Sequence, residues 1–154
     1  MPPSIRNFLG SMGGQPDSRN DEIQNQLFEH DLEIVAALNR AGVKVLSGTD
    51  TPNPYTYPGF SLHDELGLLV KAGFTPMAAL QTATLNPAIF FGRRNTLGTV
   101  ERGKVANLVL LDANPLEDIN NTRRIAAVVV GGRYIPKVEL ERITDEVKSR
   151  ANRR

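Results

Sequence analysis

The sequence predicts an α/β fold in which helices flank a short buried strand. Residues 43–46 form an apolar run bounded by Gly42 and Gly48, and its shortness and β-branched character favour a strand over a helical segment. Apolar residues at helical spacing precede this run and follow it twice, the alternation typical of a parallel strand. Beyond residue 94, extended segments separated by turns replace the helices. We therefore expect an α/β part followed by a β-rich part.

The first two predicted helices lie on either side of the strand. Residues 21–40 place apolar side chains on one face, and Gly42 suits the C′ position at which such a helix ends. After a proline-rich stretch, Ser61 with Asp64 or Glu65 resembles a capping box, and a leucine stripe follows. The strand is thus predicted to have a helix before and after it.

Three more helices are predicted downstream. Thr75-Pro76 combines a capping hydroxyl with a proline at the first helical position, and Asn86-Pro87 begins a short helix. The last predicted helix covers residues 138–150 and is charged and amphipathic.

The β-rich part is predicted to contain extended segments at 97–100 and 105–112 and a final hairpin. The hairpin strands, 126–130 and 133–135, are joined by the glycine pair at 131–132.

The chain therefore divides into four predicted segments. These are a loop or arm over residues 1–20, an α/β part over 21–93, a β-rich part over 94–136, and a charged helix with a tail over 137–154.

The length, charge and composition of the chain exclude several classes of protein. The chain has 154 residues, whereas a closed (β/α)8 barrel usually takes about 250, so it is too short to form one alone. Eighteen basic and seventeen acidic residues give a net charge of +1, which creates no field favouring nucleic acid or a membrane surface. Cysteine is absent, so disulfides and thiolate sites are excluded. With no apolar run of about 18 residues and no signal peptide, we expect a cytoplasmic protein.

Asp50 is the strongest candidate for chemistry. It follows Ser47-Gly48-Thr49 at the carboxyl end of the predicted strand, where α/β barrels and sheets place their functional groups. An aspartate after Gly-Thr is also a common turn or capping residue, so pattern alone leaves both interpretations open.

The loop after Asp50 is a second candidate. Residues 51–60 contain three prolines and three aromatic residues, and a long loop at this position either contacts substrate or acts as a rigid connector. Tyr55 and Tyr57 on this loop, and His63 just beyond it, are the predicted substrate contacts.

A metal site cannot be assembled from spacing alone. His30 and His63 match no metal-ligand motif, and we interpret His30 as a structural side chain of its helix. A catalytic zinc needs about three protein ligands, and Asp50, His63 and Asp64 could supply them, although no motif supports that set.

Several motifs occur in a fixed order along the chain. They are Val45-Leu46-Ser47-Gly48-Thr49-Asp50, Ser61-Leu62-His63-Asp64-Glu65-Leu66, Ala72-Gly73-Phe74-Thr75-Pro76-Met77-Ala78-Ala79-Leu80, Ala83-Thr84-Leu85-Asn86-Pro87-Ala88, Leu97-Gly98-Thr99-Val100-Glu101-Arg102-Gly103-Lys104, Leu108-Val109-Leu110-Leu111-Asp112 and Asn114-Pro115-Leu116. Together they resemble the C-terminal third of the amidohydrolase superfamily, close to its imidazolonepropionase and prolidase-like branch, and the resemblance covers about residues 30–135.

The resemblance implies a fold and a mechanism. The expected fold is the last part of a metal-dependent (β/α)8 barrel, followed by the C-terminal strands of a small β-sandwich. Asp50 matches the aspartate that ends the eighth barrel strand, which binds the metal and takes the proton from the attacking water. The implied reaction is hydrolysis of a carbon–nitrogen bond in a small amide, cyclic amide or dipeptide-like substrate, with zinc as the implied metal.

Departures from the family pattern limit what this chain can do alone. The family's His-x-His pair, its lysine or equivalent bridging ligand and its other metal-binding histidines have no counterpart in these 154 residues, and we expect them upstream of Met1. Asn107 stands where the family more often has aspartate. We therefore expect the chain alone to bind zinc poorly.

The expected partners follow from these gaps. They are a missing N-terminal barrel segment or a complementing chain, and exposed apolar faces also favour homo-oligomers. The alternative is a truncated, catalytically incomplete chain that serves only as a partner-binding or remnant domain.

Overall fold

The computed structural model describes residues 18–51, 53 and 56–152. Five α-helices, three strands and one 3-10 helix occur in this part of the chain. In chain order they are α1 (Ser18–Arg40), α2 (Ser61–Lys71), α3 (Pro76–Ala83), α4 (Leu85–Phe90), β1 (Leu108–Leu111), the 3-10 helix (Ile119–Arg123), β2 (Ile125–Val130), β3 (Arg133–Pro136) and α5 (Lys137–Asn152).

The three strands form one antiparallel sheet in the order β1-β2-β3. The predicted hairpin is confirmed, because Val130 pairs with Arg133 across the turn. Gly131 and Gly132 have φ values of 57° and 84°, a left-handed conformation that glycine adopts without steric cost. The glycine pair therefore permits the tight connection between β2 and β3.

Local signals place two of the helix ends correctly. Oγ1 of Thr75 accepts a hydrogen bond from the Ala78 N–H at 3.1 Å, so Thr75 is the N-cap of α3. Gly42 has a φ of 74° and directly follows the last turn of α1, as predicted for a C′ glycine.

The capping box predicted at Ser61 is wrong. Phe60 is the N-cap of α2, and it makes no side-chain capping bond. Ser61 is already the first residue of the helix, and its hydroxyl accepts the N–H of Tyr57 at 2.7 Å instead of an N–H of the first helical turn.

The core lies where α2 and α3 meet the 3-10 helix. Its most buried members are apolar side chains from these three elements and the connection between α2 and α3: Leu66, Leu69, Ala72, Phe74, Ala79 and Ile119. The 3-10 helix is not among the elements predicted from sequence; Asp118 caps it by accepting the Asn120 N–H, and it buries Ile119 and Thr122. This helix joins the β-rich part to the helices.

The predicted strands at 43–46 and 97–100 are not strands within the described residues. A strand is defined by pairing, and no described segment lies beside either run as a sheet neighbour. The predicted extended segment at 105–112 is shorter than expected, since β1 begins at Leu108. Of the predicted arm over residues 1–20, residues 1–17 lie outside the described residues, and residues 18–20 belong to α1 instead of a loop. The boundaries of the four predicted segments otherwise stay predictions.

No helix of the described part of the chain combines the length and apolar character needed to cross a bilayer.

Candidate functional site

Asp50 lies in a backbone conformation that non-glycine residues seldom adopt. Its φ is +50°, and it is the one non-glycine residue with positive φ in the described ranges. Its side chain is exposed, and its Oδ2 accepts a hydrogen bond from Nδ2 of Asn53 at 2.6 Å. The Asn53 N–H also donates to the Asp50 carbonyl at 3.1 Å. Strained positions of this kind persist where surrounding contacts hold them, and they are frequent at active sites.

The segment before Asp50 is held by helices that follow it in sequence. The Ser47 N–H donates to the Thr82 carbonyl at 3.1 Å, and the Ser47 hydroxyl bonds to Oγ1 of Thr82. Nδ2 of Asn86 donates to the Val45 carbonyl at 2.9 Å. Val45 and Ser47 are thus anchored to helices without belonging to a sheet.

The turn itself has a separate anchor on α2. The Gly48 N–H donates to Oε1 of Glu65 at 2.8 Å. Thr49 and Thr51 then bond through their hydroxyls at 2.9 Å. The turn that presents Asp50 is therefore fixed by both side-chain and backbone contacts.

Of the two tyrosines that were predicted to contact substrate, only Tyr57 is among the described residues. Tyr55 lies outside the described residues. Tyr57 has an exposed side chain, and its backbone bonds to Phe60 and Ser61 at the start of α2. Substrate contact by either tyrosine stays a prediction.

His63 faces the 3-10 helix. Its Nδ1 lies 3.0 Å from Oγ1 of Thr122, and the half-buried ring lines a groove between the helices and the sheet. Burial and the nearby Arg123 guanidinium lower the pKa of His63, whereas Asp64 acts in the opposite direction. A neutral imidazole is the form that this environment favours.

The groove beside His63 is mostly apolar and has a volume of about 770 Å³. It runs from Leu62 and Leu66 on α2, past Ala88, to Leu108 and Val109 on β1. Asp50 does not line it, so the structure does not bring Asp50 and His63 together in one described pocket. Substrate contact by His63 stays a prediction.

The described residues supply only one of the ligands that a metal site needs. Within residues 18–51, 53 and 56–152, no group of three or more histidine, cysteine, aspartate or glutamate side chains could hold an ion. The combination of Asp50, His63 and Asp64 considered from sequence is thus not assembled, because Asp64 pairs with Arg123 and His63 contacts Thr122. The exposed Asp50 carboxylate remains available as a single ligand.

Asn107 supports the sheet. Its Oδ1 accepts the Gly131 N–H at 2.7 Å, at the turn between β2 and β3. Either an amide oxygen or a carboxylate oxygen can fill this role, so the departure at this position leaves the acceptor in place.

Three residues that hold the Asp50 turn were not singled out from sequence. Glu65 and Asn86 enter the sequence-based predictions only at helix starts and within the motifs that resemble the family, and Thr82 does not enter them. Two of their bonds run to backbone groups, which every residue offers, so spacing alone gave no signal.

Comparisons with known proteins match most of the described chain. A model of the amidohydrolase family matches residues 19–135. Ochratoxinase of Aspergillus niger is 38% identical over 117 residues, which cover 75% of this chain and 23% of that protein. Imidazolonepropionase of Shouchella clausii is 32% identical over 130 residues, covering 76% and 28%.

The solved structures agree with the sequence comparisons. A Xaa-Pro dipeptidase with bound methionine in its active site matches with a TM-score of 0.63 and 28% identity, over 68% of this chain and 25% of that one. This confirms the predicted fold class, a portion of a (β/α)8 barrel with strands of a small β domain. The chain spans about a quarter of the length of the curated relatives that it matches. On the family match and these likenesses, the chain belongs to the amidohydrolase family.

Proposed function

We propose that this chain supplies part of the active site of a metal-dependent hydrolase that cleaves carbon–nitrogen bonds in small amide, cyclic amide or dipeptide-like substrates. Asp50 is its metal ligand and accepts the proton from the attacking water. The observation that carries the proposal is the Asp50 turn, in which an exposed carboxylate at positive φ is held by contacts from neighbouring elements. This turn lies within the residues that match the amidohydrolase family.

The proposed metal is zinc. A bound divalent cation lowers the pKa of an adjacent water to about 7, which a carboxylate beside it can then deprotonate. Asp50 offers one ligand, and the remaining ligands come from elsewhere in the assembled protein, since a catalytic zinc takes about three. Tyr57 and His63 are the proposed substrate contacts from this chain.

The proposed partner is the rest of the barrel, on the same polypeptide or on a complementing chain. Large apolar side chains are exposed on this chain, among them Phe90, Phe91 and Val100, with 70%, 69% and 82% of their surface accessible. Exposed apolar surface of this extent is typical of contact sites. Pairing between copies of this chain would cover part of the same surface. The cytoplasmic location expected from sequence stays a prediction.

The replacement of Asp50 by Asn tests the proposed role. Asparagine tolerates positive φ and keeps an oxygen for the Asn53 amide, so Asp50→Asn removes the charge with little strain. In the protein with all barrel strands present, we expect kcat to fall by about 10³-fold or more and zinc content to drop, while the unfolding temperature of the metal-free protein stays unchanged. Asp31→Asn, an exposed substitution on α1, is the matched control. Wild-type turnover in Asp50→Asn would remove Asp50 from the mechanism.

A second candidate is a catalytically incomplete domain that only binds a partner. The single available metal ligand and the exposed apolar side chains favour it. The size of the native protein separates the two candidates. An immunoblot and peptide mass spectrometry of the source cells would show a species heavier than 154 residues allow, or a second chain with a His-x-His pair, if the hydrolase proposal holds. A 154-residue species without such a partner favours the incomplete domain.

A further inference from the structure

Asn53 is hydrogen-bonded to Asp50 through both its side chain and its backbone. Its Nδ2 donates to Oδ2 of Asp50 at 2.6 Å, and its N–H donates to the Asp50 carbonyl at 3.1 Å. Among the described residues, no other side chain hydrogen-bonds to the Asp50 carboxylate. The orientation of this carboxylate therefore depends on the Asn53 amide.

Asn53 is itself held in place by the loop that follows it. Its carbonyl accepts the Thr56 N–H at 3.1 Å and the Thr56 hydroxyl at 2.7 Å. A group orients a functional side chain only when its own position is fixed by neighbouring contacts. Asn53 meets this condition, because its N–H, its carbonyl and its side-chain amide are all bonded.

The contact divides the two oxygens of the Asp50 carboxylate. Oδ2 is occupied by the Asn53 amide, which leaves Oδ1 for other partners. Both side chains are exposed, so a metal ion or a water can approach the carboxylate. Carboxylates that bind metals are commonly oriented by a hydrogen bond of this kind, and loss of such a partner costs about 10–100-fold in metal affinity or activity.

We propose that Asn53 is a positioning residue whose amide holds the Asp50 carboxylate by Oδ2 and leaves Oδ1 to bind the metal. This inference rests on the proposed role of Asp50. Asn53 acts through Asp50 and does not itself touch the reacting atoms. It also ties the metal ligand to the loop that carries Tyr57, the proposed substrate contact.

The contact itself can be tested by NMR in the 154-residue chain. Asp50→Gly removes the carboxylate, and glycine adopts the positive φ of this position without strain. We expect the side-chain amide resonances of Asn53 to move to the position of an amide bonded only to water. Those of Asn120, whose Nδ2 donates to Oδ1 of Asp118 at 2.9 Å, should stay in place. Unchanged Asn53 resonances would overturn the proposal.

Two substitutions at Asn53 test the effect on the site in the protein with all barrel strands present. Asn53→Leu nearly keeps the shape of the side chain and removes its donor. With zinc alone as the probe, its affinity in a chelator competition should fall about tenfold or more. For a dipeptide or cyclic amide that the wild type hydrolyses, kcat should fall by a similar factor with little change in KM. Asn53→Gln keeps an amide on a longer side chain and should recover part of both losses.

Two controls separate orientation of the carboxylate from support of the loop. Thr56→Val removes one bond to the Asn53 carbonyl but leaves the Asn53 amide in place, so zinc affinity and kcat should stay at wild-type values. Asn120→Leu removes the same kind of amide–carboxylate contact on the 3-10 helix and should also leave both unchanged.

Wild-type kcat and zinc affinity in Asn53→Leu would overturn the positioning role. A loss in Thr56→Val as large as that in Asn53→Leu would also overturn it, because the effect would then belong to the loop. Failure of the proposed function is distinguishable. In that case Asp50→Asn would keep its turnover, whereas the NMR contact in the 154-residue chain would remain.

Discussion

The Nδ1 atom of His63 lies 3.0 Å from Oγ1 of Thr122, although 59 residues separate them in sequence. The Thr122 hydroxyl donates its hydrogen to the Ile119 carbonyl at 2.8 Å, so His63 must be the donor in the first bond. The neutral ring therefore carries its hydrogen on Nδ1. Next to this bond, Asp64 forms an ion pair with Arg123. These two contacts fasten α2 to the 3-10 helix.

The His63 environment predicts that stability falls in mild acid. Burial and Arg123 lower the pKa of His63 in the fold below the value of 6.5 expected in the unfolded chain. As the pH falls through 6.5, the unfolded chain takes up a proton that the folded chain does not, so the free energy of unfolding decreases. This loss continues until the pH passes below the folded pKa. Urea unfolding of wild type and His63→Gln between pH 8 and 5 should show the extra loss only in wild type.

Two variants check the cause of this pH dependence. His30→Gln is the control, because His30 is exposed on α1 and its removal should leave the wild-type profile. Asp64→Asn removes the group that raises the pKa of His63, so an NMR titration should show that pKa lower still. A higher His63 pKa in Asp64→Asn, or identical profiles for wild type and His63→Gln, would contradict the assignment.

The hydroxyls of Ser47 and Thr82 should be energetically coupled. Thr82 is buried and donates to the Ala79 carbonyl at 2.6 Å, which leaves its oxygen to accept the Ser47 hydrogen. Thr82→Val keeps the shape but leaves the Ser47 hydroxyl and the Ala79 carbonyl without this partner, and should cost about 1–3 kcal/mol. Ser47→Ala should cost about 0.5–1.5 kcal/mol. Urea unfolding of both single variants and the double variant completes the cycle, and strict additivity would show that the hydroxyls do not interact.

Gly98 should tolerate no side chain. Its φ is +93°, and an added Cβ would lie 2.7 Å from Cβ of Ala88 and 3.1 Å from Cα of Leu85. Gly98→Ala should therefore cost about 1–2 kcal/mol for the left-handed conformation and about 1–3 kcal/mol more for overpacking. Gly103→Ala is the matched control, because its φ is +86° but no atom lies within 4 Å of the added Cβ. Equal melting temperatures for the two variants would rule out a steric role for Gly98.

Features encoded in a few neighbouring residues could be predicted from sequence. The Thr75 cap, the Gly42 helix end and the glycine pair in the hairpin depend on local backbone geometry, and all three are confirmed. Strand 43–46 depends on neighbours that the described residues do not include, so its apolar pattern could not produce a sheet. The 3-10 helix is held by tertiary burial of Ile119 and Thr122, which no local pattern shows.

The residue proposed to carry the chemistry of the candidate site could be predicted from sequence, whereas the residues that hold it in place could not. Asp50 was identified by its place after an apolar run and by resemblance, and its role stays a prediction. The contacts of Glu65 with Gly48 and of Asn86 with Val45 span 17 and 41 residues and end on backbone groups. Likewise, the partner of His63 lies on an element that the sequence did not reveal.

The anchors on residues 43–47 bear on the order in which such a barrel assembles. Val45 and Ser47 are bonded to the helical segment around Thr82 and Asn86, within a continuous stretch of about 45 residues. Because the entropy of closing a loop grows only slowly with its length, these contacts, which span 35 and 41 residues, can form before more distant strands arrive. The Val45 carbonyl and the Ser47 N–H are then already bonded to helices, so neighbouring strands would align on the remaining backbone groups of the segment. Closure of the barrel would then be the docking of a preformed unit, with the Asp50 turn already shaped.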